Sequence, residues 1–194
     1  MYYAGNGCTE IVGNPEIVLG DNVVIFDKTV FTGLKVFDKP KIVVGDNTYL
    51  GPQVRLFSAK EIRIGSHCLI GSEYIIDNPG HSVYDTSARL QPGGGTTPPE
   101  DVRPVRIGDF CWLPGHTYVY PGVHIEDGVV AGLGTHIMKS LPPFCRVGGN
   151  PARILRLIPL PEKLRGIVGE NRFNEYREKH KSLLKQGYEY AKNR

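Results

Sequence analysis

Aliphatic residues recur every six positions along most of this chain. From Ile64 the sequence reads IGSHCL and IGSEYI, and from Ile107 it reads IGDFCW, LPGHTY, VYPGVH, IEDGVV, AGLGTH and IMKSLP. The same grammar appears earlier as LGDNVV from Leu19, VGDNTY from Val44 and LGPQVR from Leu50. An amphipathic helix would repeat its apolar positions at three and four, so this pattern excludes helix over these stretches. Short strands joined by tight corners fit it, with three hexapeptides closing one triangular coil and each leading aliphatic residue pointing inward. Val44, Ile64, Ile107 and Ile125 then form one column. Leu50, Ile70, Leu113 and Ala131 form a second, and Leu56, Ile76, Val119 and Ile137 a third. No coil buries its own apolar edge, so several must stack to make a core. Gly, Asn and Asp between the aliphatic residues suit the corners. The chain therefore reads as an all-β parallel β-helix of about five coils.

The places where the period breaks are informative. Val44 and Ile64 are two residues further apart than three hexapeptides allow, which predicts a bulge near residues 58–62. The longer gap between Leu19 and Val44 predicts another bulge or hairpin near residues 36–42. A much larger break, SVYDTSARLQPGGGTTPPEDVRPV, follows His81 and reads as an excursion loop over residues 82–106. Long loops in compact domains are usually functional or disordered. The repeat stops at Pro142 and Pro143, so residues 1–150 form the β-helix domain and 151–194 a C-terminal extension. The extension should hold a short helix from Pro161 and an amphipathic helix over about 172–186, with Phe173, Tyr176, Leu183 and Leu184 near one face.

Composition narrows the class. Of 194 residues, 40% are hydrophobic and 22% charged, with 24 Gly and 15 Pro, which suits many short strands. The net charge of +3 gives no case for nucleic acid, but it divides unevenly: residues 1–150 carry −3 and residues 151–194 carry +6. Cys8, Cys68, Cys111 and Cys145 have no C-x-x-C spacing, which argues for reduced thiols and against a zinc site or disulfide framework. No signal peptide opens the chain, and no apolar run is long enough to span a bilayer, so the expected compartment is the cytoplasm, without membrane insertion.

Four segments in order, NPGH at 78–81, CW at 111–112, YPGVHI at 120–125 and GGNPARILR at 148–156, resemble the hexapeptide-repeat acyltransferases. The closest likeness is to maltose, galactoside and polysaccharide O-acetyltransferases. The resemblance implies a left-handed coil, although parallel crossovers are otherwise right-handed. It also implies acetyl-CoA as co-substrate, no metal, and a homotrimer with active sites between subunits. It places His81 as the general base that takes a proton from an acceptor hydroxyl, and the backbone amide of Gly115 as an oxyanion donor. Attack is then direct, without an acyl-enzyme. By the same resemblance Trp112 lies beside the cofactor arm, Gly132 and Gly134 line the pantetheine channel, and Arg153 and Arg156 meet the cofactor phosphates, for which a guanidinium fork is suited.

The acceptor is less legible. The family's acidic pair is missing from GPQVRLFSAK at 51–60, leaving Gln53, Arg55 and Ser58 as candidate contacts, with Asp77 and Asp85 flanking His81. Transfer to a sugar hydroxyl or polysaccharide precursor is the leading reading. N-acetylation of an amino sugar or a xenobiotic is the nearest alternative, and a non-catalytic scaffold has no use for His81, the loop and GNPAR together. A zinc protein resembling the γ-class carbonic anhydrases is a further alternative. However, His116 and His124 are eight positions apart, where that family has five. His124 stands at the same repeat position as His81, while His67, His116, His136 and His180 read as structural or solvated.

Overall fold

The computed structural model describes residues 2–4, 8–91 and 95–190, and the six-residue period becomes a three-faced coil of parallel strands. The first face stacks Tyr2–Ala4, Val24–Phe26, Tyr49–Leu50, Leu69–Ile70, Trp112–Leu113, Val130–Ala131 and Cys145–Gly148, and is closed by Arg153–Leu157 running antiparallel. The second stacks Glu10–Val12, Val30–Gly33, Arg55–Ser58, Tyr74–Ile76, Tyr118–Val119 and His136–Ile137. The third stacks Glu16–Leu19, Lys41–Val44, Glu61–Ile64, Val105–Ile107 and His124–Ile125. The coil thus begins at Tyr2–Ala4, ahead of the first recognisable hexapeptide at Leu19.

The columns expected from the period are buried, with one correction. The third column runs through Leu56, Ile75, Val119 and Ile137, all fully buried, and Ile76 pairs instead with Phe57 on the rim. The cause is a repeat of five residues between Ile70 and Ile75. The corner residue that takes a left-handed φ in neighbouring coils, Gln53 at 63° or His116 at 62°, has no counterpart between Gly71 and Glu73. The side chain of Glu73 fills that space. Its Oε2 accepts the Thr117 amide at 2.7 Å, and burial pushes its carboxyl up to about 9, so it is uncharged at neutral pH.

The corner between the third and first faces shows why Gly and Asp recur there. Asp46 Oδ1 accepts the Asp21 amide, Ser66 Oγ the Asp46 amide, Asp109 Oδ1 the Ser66 amide, and Asp127 Oδ1 the Asp109 amide, at 2.7–3.0 Å. Each capping oxygen occupies the place where a Cβ on Gly20, Gly45, Gly65 or Gly108 would sit, within 2.2–2.6 Å. Glycine precedes each cap because only a missing side chain leaves room for it.

The bulge expected near residues 58–62 is present and has a specific keeper. Asp77, fully buried, accepts the amides of Ala59, Lys60 and Glu61 at 2.6–2.8 Å and the hydroxyl of Ser58 at 3.1 Å. The chain leaves the prism directly after it and returns at Arg103, whose amide donates to the Asp77 carbonyl at 2.8 Å. The excursion contains 3-10 turns at Thr86–Leu90 and Pro99–Asp101; residues 92–94 of the expected loop lie outside the described residues.

Two helices follow the coil, α1 at Lys163–Val168 and α2 at Glu170–Lys185. Phe173, Tyr176 and His180 are buried and Leu183 packs on the main core, a spacing of three, four and three. Leu184, expected on that face, is exposed. The helix docks on its own prism: Asp127 accepts both Arg172 and Tyr176, and His180 Nε2 donates to the Pro143 carbonyl at 3.0 Å. Burial and the Asp127 carboxylate together hold the Tyr176 phenol well above its ordinary pKa. Cys68, Cys111 and Cys145 are buried free thiols and Cys8 an exposed one. No helix among the described residues is long and apolar enough to cross a membrane.

Candidate active site

His81 stands inside the excursion, four residues past Asp77. Asn78 sets the turn that carries it: its Nδ2 donates to the Phe57 carbonyl and to Asp77, and its Oδ1 accepts the Gly80 amide at 3.0 Å. The His81 ring is exposed, and its Nδ1 lies 3.1 Å from the carbonyl oxygen of Gly95 on the returning arm of the loop. A carbonyl only accepts, so Nδ1 carries the proton. In the neutral ring the lone pair is then on Nε2. That is the tautomer a general base needs.

Gly115 lies on a different edge, between the first and second faces. At the edge lined by Asp46, Ser66, Asp109 and Asp127, each corner amide is capped by a side-chain oxygen from the next coil. Here the next coil offers Leu133, which has no oxygen. Among the described residues the Gly115 amide accordingly has no acceptor. A corner amide without an acceptor is available to a developing oxyanion.

The first face beside that edge carries an apolar groove of about 610 Å³, lined by Trp112, Pro114, Val130, Ala131, Gly132, Leu133 and Arg146. Trp112 is half exposed and in register with Val130, which in turn pairs with Arg146. Cβ atoms on Gly132 and Gly134 would meet nothing closer than 3.7 Å. Gly134 takes the same corner conformation as Gln53 and His116, with φ 68°, so backbone geometry alone does not demand glycine there. At the groove's end the final strand brings Arg156 directly opposite Arg146, and Arg153 opposite Gly148. Arg156 lies 3.9 Å from Glu189, whereas Arg153 has no carboxylate partner among the described residues. An apolar channel ending in guanidinium groups matches the chemistry of a pantetheine arm and its phosphates. Arg146 escapes a reading by motif. Its place follows only from counting outward positions along the ladder.

The expected acceptor contacts do not gather. Gln53 is at the first-to-second edge, and Arg55 lies over the Tyr74 ring at 5.6 Å on the second face. Ser58 and Asp77 are buried against each other and hold the bulge, so neither faces a ligand. Asp85 caps the first 3-10 turn, and the hydroxyl and amide of Ser87 hold its carboxyl below its usual range. A cleft of about 250 Å³ does open between the arms of the loop, lined by Pro79, Val83, Tyr84, Asp101, Arg103 and Pro121, residues that flank His81 in the chain although His81 itself does not line it. His116 lies at the corner between the first and second faces and His124 on the third face, and no group of three or more His, Cys, Asp or Glu among the described residues could hold a metal ion.

No protein-family model matches the chain. The putative colanic acid biosynthesis acetyltransferase WcaF of Escherichia coli is 31% identical over 138 residues, which are 71% of this chain and 68% of that protein. The chain belongs to the hexapeptide-repeat acetyltransferases. The galactoside O-acetyltransferase of Escherichia coli is 29% identical over 117 residues, 60% of this chain and 54% of the other. Among solved structures, a hexapeptide-repeat acetyltransferase of Vibrio cholerae superposes with a TM-score of 0.58 at 28% identity, covering 72% of this chain and 73% of that one. The Vibrio cholerae enzyme has also been crystallised with acetyl-CoA. The protein is an acetyltransferase, and the groove with its arginines is chemically suited to a CoA thioester.

Proposed function

We propose that the chain is an O-acetyltransferase acting on a hydroxyl of a sugar or polysaccharide precursor, with His81 as general base. The observation that carries this reading is the His81–Gly95 hydrogen bond, which engages Nδ1 as the donor and leaves Nε2 without a partner among the described residues. Nε2 takes the hydroxyl proton as the acceptor oxygen bonds to the thioester carbon. The Gly115 amide faces the negative charge that develops on the carbonyl oxygen. As the carbon–sulfur bond breaks, the imidazolium returns its proton to the leaving thiolate.

His81 and Gly115 lie on different edges of one prism, so a single chain does not bring them together. Two copies side by side can, with the His81 edge of one meeting the first face of its neighbour. On this reading the enzyme is a cytoplasmic homotrimer of left-handed coils, with its active sites between subunits. Sugar hydroxyls fit the cleft between the arms of the loop, where the exposed Tyr84 ring and the polar groups of Asp101 and Arg103 converge. The relatives named for colanic acid, lipopolysaccharide and galactoside acetylation support the same class of acceptor. The test is thioester turnover against a panel of sugars and amino sugars. Turnover with hydroxyl acceptors is expected, and turnover confined to amines would overturn O-transfer.

A further inference from the structure

The first face carries a second hollow beyond the groove. It measures about 210 Å³ and is lined by Tyr49, Leu69, Ile70, Gly71 and Trp112, so Trp112 forms the wall between the two. The outward positions follow in register from coil to coil: Tyr49, Leu69, Trp112, Val130 and Arg146. With strands about 4.8 Å apart, the phosphate end at Arg146, the channel at Gly132 and the thioester at Gly115 lie along one line. The second hollow is the next compartment on that line, on the side away from the cofactor.

Its floor touches the reacting centre. A Cβ on Gly71 would fall 2.7 Å from the Gly115 amide nitrogen, so Gly71 belongs both to the hollow and to the surroundings of that amide. The other walls are apolar. Leu69 and Trp112 are half exposed, and the Tyr49 ring is backed by Phe26 with centroids 5.0 Å apart. Acetyl has a single methyl and leaves most of this apolar surface in water.

We propose that the hollow between Leu69 and Trp112 receives the alkyl part of the acyl group, so that the enzyme takes short-chain acyl-CoA esters such as propionyl- and butyryl-CoA as well as acetyl-CoA. The inference rests on the proposed placement of the thioester at Gly115. The Tyr49–Phe26 wall limits the chain, so a long acyl group gains nothing further.

Trp112 is the only tryptophan of the chain and lines both compartments, so its fluorescence reports occupancy. The full-length protein is titrated with CoA, acetyl-CoA, butyryl-CoA and decanoyl-CoA. Two additional buried methylenes should make butyryl-CoA bind about fifteenfold more tightly than acetyl-CoA, with no further gain for decanoyl-CoA. Leu69→Phe narrows the hollow and should bring the butyryl-to-acetyl ratio down to about one. Equal or weaker binding of butyryl-CoA by the unaltered protein overturns the inference and leaves acetyl transfer standing. So does an unchanged ratio in Leu69→Phe. Failure of every CoA ester to bind would instead remove the placement of the thioester itself, and this inference with it.

Discussion

His81 Nδ1 sits 3.1 Å from the carbonyl oxygen of Gly95, and the two residues belong to opposite arms of one loop. The contact fixes both the tautomer and the direction of the ring, and Gly95 in turn is held against the buried Ala88. His81→Ala should lower kcat by about 10²–10⁴-fold, the usual worth of a positioned base. Acetyl-CoA binding and assembly should be retained. Normal turnover by that variant would remove His81 from the chemistry. Gly95→Ala tests the support. Its Cβ would come within 3.2 Å of Ala88 Cβ at a backbone φ of 73°, so the carbonyl must shift. A severalfold loss of kcat with an unchanged KM for acetyl-CoA is expected.

The phosphate end of the groove can be separated from the reacting end. Arg153→Ala and Arg146→Ala should each raise the KM for acetyl-CoA about tenfold, the low end for a lost charge-assisted hydrogen bond at an exposed site. Both should leave kcat nearly unchanged, because the contact is equal in ground and transition states. Steady-state kinetics at two salt concentrations would show it. An unaltered KM in either variant would make that arginine an ordinary surface residue.

Gly134 distinguishes a fold requirement from a channel requirement. His116 and Gln53 adopt the same left-handed corner one and three coils back along the stack, so a side chain there is compatible with the coil. Gly134→Gln should therefore fold, at a cost of about 1 kcal/mol for the backbone conformation. It should also obstruct the channel beside Leu133. Loss of acetyl-CoA binding with a retained melting transition is the expected pair of results, and unimpaired binding would put the pantetheine arm elsewhere.

How far the sequence reaches is set by what a period can encode. It places Leu50, Ile70 and Leu113 correctly because each is followed directly by the Gly or Pro that opens a corner. It fails at Ile75 because IGSEYII offers two adjacent candidates, and only the shortened corner at Glu73 decides between them. The early coils at Tyr2–Ala4 and Glu10–Val12 pass unnoticed because Ala4, Val12 and Leu19 follow one another at eight and seven residues rather than six. At the site, His81 is conspicuous because it stands at a break in the repeat. Its partner Gly95 is one of several loop glycines, and nothing local marks it. Asp77 and Ser58 look like ligand contacts by position, yet the bulge two residues long needs its freed amides satisfied, and Asp77 meets that need.

Glu73 makes a prediction about pH. Its carboxyl is raised by burial from an ordinary 4.5 to about 9 in the folded protein. Between those values the folded chain keeps a proton that the unfolded chain releases, so stability falls as pH rises through that window. The full stability is present below about 4.5, and the loss is complete above about 9. At pH 7 the cost covers some 2.5 pH units, roughly 3 kcal/mol at 1.36 kcal/mol each. Glu73→Gln keeps an oxygen for the Thr117 amide and has no proton to lose. Compared by urea unfolding, the two proteins should be similar near pH 4.5, and the variant should grow progressively more stable than the parent up to pH 9. Parallel stability curves across that range would mean that Glu73 is ionised in the corner or reaches solvent there.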